Sequence, residues 1–181
     1  MSDPEQADPE QALPSAVCDG GPHIVVPADL ASGWRGAIGA GTDYSRACDV
    51  AEPVGIISVG RGCALVIGGS PPFTYWVSEE PGFSSGALVV PRSWASDFTA
   101  SQLRTVCEQT PASGFRDLGL VFQNESSKCL LFAACDAGPE WVYGYSRFPL
   151  ARGCYRVLFA EAHLGQSLEV SIIRLASMPA A

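Results

Sequence analysis

Seven cysteines and two histidines are the side chains of this 181-residue chain with the most chemistry to offer. Their spacing organises little of it. The cysteines stand at 18, 48, 63, 107, 129, 135 and 154, an odd and dispersed set with no CxxC pair. Neither a structural zinc site nor a disulfide framework is expected, and reduced thiols of a cytosolic protein fit better. A nucleophilic thiol needs a nearby cation or a helix N-terminus to lower its pKa. Cys48 comes nearest, two residues from Arg46, but helical side chains two apart do not face each other. His23 follows Pro22 on an apolar run and reads as a packed or rim residue, whereas His163 reads as a loop residue. Asp43 and Asp49 are too far apart to share a face necessarily, and Glu79-Glu80 in a Pro/Gly loop reads as solvated charge. No HExxH motif or metal-ligand spacing is present, so neither a metal nor another cofactor is expected.

Aromatic residues offer better material for binding. Trp34, Trp76, Trp94, Trp141, Tyr143 and Tyr145 combine a large apolar body with a polar tip, a combination favoured at interface anchors. In Trp141-Val142-Tyr143-Gly144-Tyr145, a strand would put Trp141, Tyr143 and Tyr145 on one face. That face would be either core or an exposed recognition surface. Trp141, Tyr143 and Tyr145, with Glu79 and Glu80, are the candidate contacts for a protein partner.

Charge narrows the choice of partner. The formal net charge is −8, and the basic residues are ten arginines and one lysine, scattered singly. Nucleic-acid binding needs a concentrated basic surface, so it is not expected. Neither a secretory leader nor a membrane span is legible, and the cytoplasm is the expected compartment. Residues 1–16 carry the near-repeat Asp3-Pro4-Glu5-Gln6-Ala7, Asp8-Pro9-Glu10-Gln11-Ala12. With four acids and few large apolar groups, they are expected to be a disordered acidic tail, followed by a single domain over 17–177.

The elements that must position these residues are mostly short strands. Apolar and alternating runs predict strands at 23–27, 54–59, 63–67, 73–77, 86–92, 115–123, 128–134, 141–148, 153–161 and 168–175. Gly60-Arg61-Gly62 lacks the GK[ST] of a phosphate loop and reads as a hairpin turn using positive φ at glycine. Thr99 and Gln102 form a capping box, with Leu103, Val106 and Cys107 on one face of a helix that Pro111 ends. A second short helix is expected over Asp43–Cys48, with Asp43 as its cap and Arg46 paired to a carboxylate elsewhere. The fold class is α+β, a β-dominated single domain of antiparallel strands with one or two short helices. The halves 20–92 and 115–175 are each expected to form one β-layer.

Several segments together resemble the immunity protein 21 family of bacterial polymorphic toxin systems. They are Gly20-Gly21-Pro22, Trp34-Arg35-Gly36, Asp43-Tyr44-Ser45-Arg46-Ala47-Cys48, Val59-Gly60-Arg61-Gly62 and Ala64-Leu65-Val66-Ile67-Gly68, followed by Pro71-Pro72 and Trp76. Gly153-Cys154-Tyr155-Arg156-Val157 extends the likeness less specifically. The aromatic expected before the glycine pair is missing, and the loop 79–86 matches nothing in the pattern. The resemblance implies a cytoplasmic, non-catalytic protein that binds a cognate toxin in the producing cell and neutralises it by occlusion. Within it, Trp34, Gly36, Asp43, Tyr44, Arg46, Cys48, Gly60, Gly62 and Trp76 are motif residues, expected to shape the fold more than to touch toxin. A small-ligand-binding β domain and a cysteine-dependent enzyme are the alternatives.

Overall fold

The structure is a computed structural model that describes residues 13–39, 42–51, 53–79, 85–92, 98–137, 144–164 and 168–179. Its strands are β1 (Ser15–Val17), β2 (His23–Pro27), β3 (Val54–Val59), β4 (Gly62–Ile67), β5 (Phe73–Ser78), β6 (Gly86–Pro91), β7 (Arg116–Asn124), β8 (Lys128–Ala133), β9 (Tyr145–Pro149), β10 (Gly153–Leu164) and β11 (Leu168–Ser177). Two short α-helices join them, α1 (Asp43–Cys48) and α2 (Ala100–Gln109). A six-stranded sheet runs β1-β5-β6-β11-β10-β7 and a five-stranded sheet runs β3-β4-β2-β8-β9. All pairings are antiparallel. The chain is thus the strand-dominated α+β protein expected.

The expected division into two halves is wrong. Each half of the chain supplies strands to both sheets, because the chain crosses over after β1, β4, β7 and β9. Between the sheets lies a core that includes Val25, Leu65, Trp76, Leu88, Leu131, Phe148, Tyr155 and Ile173. Trp76 and Phe148 stack across it with centroids 4.2 Å apart.

Both sheets are also covered on their outer faces. α2 lays Leu103, Val106 and Cys107 onto Val77, Ala87, Val89, Val170 and Ile172 of the larger sheet. Its capping box forms as the sequence predicts, with Thr99 accepting from the Gln102 N–H and Gln102 reaching back. Residues of the 28–50 segment cover the smaller sheet, where Trp34, Ala31 and Ala47 pack on Ile24, Val26, Val66 and Phe132. Burial on both faces explains why β2 and β6 read as unbroken apolar runs.

The β3–β4 connection is a two-residue turn, Gly60-Arg61, since Val59 pairs directly with Gly62. Gly60 has φ +55°, as a type II′-like turn requires at its first position. Gly62 does not use positive φ. A Cβ there would sit 2.5 Å from Leu30 Cδ1, so that methyl would have to turn aside. Residues 13–16, assigned to the tail by composition, are ordered instead. β1 pairs with β5 from Ser15, and the Pro14 carbonyl accepts from the Trp76 N–H. Tail residues 1–12 lie outside the described residues.

Candidate binding surface

The motif residues between Trp34 and Cys48 belong to the layer over the smaller sheet, whereas Trp76 lies between the sheets. Trp34 is 1 % exposed; its indole N–H donates to the Ala134 carbonyl at 3.0 Å, and its ring meets Phe132 edge-on. Gly36 has φ +55°, and a Cβ there would fall 2.4 Å from the Asp136 and Cys135 carbonyl oxygens. Backbone approach this close leaves room only for glycine. The cap of α1 is Thr42, whose hydroxyl accepts from the Ser45 N–H, and not Asp43. Asp43 accepts instead from the Arg35 N–H and pairs with Arg46 three residues on. Arg46 therefore finds its carboxylate within its own helix, and its other nitrogen donates to the Ser58 carbonyl on the edge of β3. Tyr44 bonds to Cys48, which raises the phenol pKa, with burial adding to the rise. Gly21 makes room for that ring, since a Cβ there would come 2.7 Å from the Tyr44 hydroxyl. These side chains are spent on holding the layer to the sheet.

Neither histidine meets a thiol among the described residues. His23 is fully buried between the sheets, with Nδ1 bonded to the Thr74 hydroxyl at 2.8 Å. Desolvation lowers its pKa to about 4, so it stays a neutral imidazole at physiological pH. His163 lies in β10, opposite Glu169, and not in a loop. Among the described residues no thiol–imidazole hydrogen bond occurs, and no group of three or more His, Cys, Asp or Glu side chains is placed to hold a metal ion. Cys129 and Cys107 are buried thiols whose pKa burial pushes up, Cys107 to about 11.

Of the candidate contacts, Tyr145 is exposed at the start of β9, and the Arg147 guanidinium lies over its ring 5.4 Å from the centroid. Ser146 between them turns inward and clips β1, accepting from the Ser15 N–H and donating to its carbonyl. This alternation leaves Tyr145 and Arg147 facing outward at a sheet edge. Glu79 is engaged within the protein, pairing with Arg174 and accepting from Ser85. Glu80, Trp141 and Tyr143 lie outside the described residues.

Sequence reasoning did not single out the groove at the end of the sandwich to which β9 leads. It measures about 540 Å³ and is lined by Asp29, Arg61, Gln123, Glu125, Arg152 and Cys154, among others. Arg61 stands on the hairpin tip facing Asp29, and Arg152 projects from the β9–β10 connection. Asn124 fixes the floor. Though 1 % exposed, it donates to the Ser126, Leu150 and Ala151 carbonyls and accepts from the Ser126 N–H. Four separate connections meet here, so no local sequence pattern could have announced it. A second concavity, about 360 Å³, opens at the other end between Ile67, Val90, Phe159 and Ile173, with Arg92 and Ser171 beside it. Trp76, Phe148 and Tyr155 occupy the space between the sheets, where an enclosed small-ligand pocket would have to lie.

Comparison with known families decides what this scaffold is. The family model described as Immunity protein 21 matches residues 16–165, most of the chain. The chain belongs to the immunity protein 21 family. The match takes in both helices and the strands up to β10, leaving out β11, and runs well beyond the motif-rich segment on which the sequence likeness chiefly rested. No curated protein and no solved structure matches this immunity-family chain.

Proposed function

We propose that this protein binds a cognate toxin of a polymorphic toxin system in the cytoplasm of the producing cell and neutralises it by covering its active site. The family match over residues 16–165 carries the reading. The mildly acidic body suits a basic protein partner rather than a nucleic acid or a membrane.

The proposed contact face runs along the outward side of β9, from Tyr145 and Arg147 to Arg152 at the polar groove. Tyr and Arg are the residue types that anchor protein interfaces, and an effective inhibitor covers about 1,600 Å² in total. Trp141, Tyr143 and Glu80 remain in the proposed contact set from sequence. The motif residues stay outside it, because Trp34, Asp43, Tyr44 and Arg46 are engaged in the layer over the smaller sheet and Trp76 in the core between the sheets. Co-expression with the toxin encoded beside this gene tests the proposal. Growth should be restored and a stoichiometric complex should co-purify; continued toxicity with both proteins present would overturn it.

A further inference from the structure

Two thiols that sequence spacing keeps apart are brought together where the sheets meet. Cys18 directly follows β1 of the larger sheet, with its N–H on the Pro72 carbonyl and its sulfur on the Gly20 carbonyl at 2.8 Å. Cys135 follows β8 of the smaller sheet, in a turn closed by the Asp136 N–H on the Ala133 carbonyl. β2 and β8 pair from Pro27 and Cys129 to His23 and Ala133, and the Ala134 N–H on the Pro22 carbonyl carries that bridge one step further. That register brings Cys135 level with Gly21, beside the Cys18–Gly20 hook. The Cys18 thiol is near enough to help raise the Cys135 pKa, after burial. Both are free cysteines in the structure.

We propose that Cys18 and Cys135 form an oxidation-dependent disulfide that staples the N-terminal strand of the six-stranded sheet to β8 of the five-stranded sheet. The oxidant is a hydroperoxide. Cys135, the more exposed of the two, meets it first. Its thiolate attacks one peroxide oxygen, the O–O bond breaks, and a sulfenic acid and water result. The Cys18 sulfur then attacks that sulfur, the S–O bond breaks, and a second water leaves with the thiol proton. Two thiols lose two electrons and one hydrogen peroxide becomes two waters. Burial, with Cys18 and Asp136 close by, pushes the Cys135 thiol up to about 11, so that thiol rests protonated at neutral pH and the staple closes slowly.

The staple would close a loop of about 115 residues, which constrains the unfolded chain strongly. A melting temperature higher by roughly 10 °C is expected in the oxidised protein. The test uses the full chain, reduced, desalted and exposed to a few equivalents of hydrogen peroxide before remaining thiols are alkylated. Peptide mapping should find the Cys18–Cys135 link as the dominant disulfide, reversible by dithiothreitol. C18S and C135S should abolish both the link and the melting shift, and C48S should keep both. Links dominated by Cys48, Cys63 or Cys154, or Cys135 oxidised without joining Cys18, would overturn the proposal. The wild-type map decides the question even if a serine variant fails to fold.

Discussion

His23 shows how one side chain couples this fold to pH. Its imidazole sits in the core with Nδ1 on Thr74, and desolvation holds its pKa near 4, below about 6.5 in the unfolded chain. Above pH 6.5 neither state binds the proton and the residue is silent. As pH falls from 6.5 towards 4, the unfolded chain takes up a proton that the folded one refuses, so stability drops. The loss should reach about 2–3 kcal/mol by pH 4.5. Urea unfolding of wild type and His23→Gln between pH 7.5 and 4.5 measures it, because carboxylates titrate in both. Equal pH slopes in the two proteins would show that His23 is not the source.

At the scale of elements, local chemistry and long-range packing separate cleanly. α2 was legible because Thr99, Gln102 and the Leu103/Val106/Cys107 stripe are all local signals. Thr99→Ala removes the hydroxyl that accepts the Gln102 N–H and should cost about 1 kcal/mol, read as a lower urea midpoint with an unchanged slope. A cost near zero would mean that packing on the larger sheet, and not the cap, fixes the helix start. α1 was located correctly but its partners were not. Thr42 rather than Asp43 caps it, and Arg46 closes on Asp43 within its own helix. Composition also placed Ser15 and Ala16 in a tail. They join β1 because Ser146, far along the chain, clips the Ser15 backbone and the Pro14 carbonyl takes the Trp76 N–H.

For the whole molecule, covering both outer faces leaves edges and ends as the available binding surface. The β9 edge is proposed to meet the toxin, so Tyr145→Ala and Arg147→Ala should each weaken binding by about 2 kcal/mol, roughly thirtyfold. Their melting temperatures should stay within about 2 °C of wild type, since both side chains face outward. Calorimetric titration with the purified toxin, beside thermal melts, checks both halves. Unchanged affinity would move the contact face elsewhere.

The sequence by itself determined the strands other than β1, the capped helix and the family likeness, because hydrophobic runs, capping pairs and turn glycines act within a few residues. It also located the residues of the motif layer, and their scaffold role agrees with the burial of Trp34 and the tight seat of Gly36. Only the tertiary structure decided which strands share a sheet, since β1, β5 and β11 come together across more than a hundred residues. The polar groove is likewise invisible in sequence. Arg61 and Arg152 belong to connections, and Asn124 to the end of β7, that meet only when both sheets close. The approach of Cys18 to Cys135 has the same cause: local spacing sets the elements, and sheet register sets which of their ends touch.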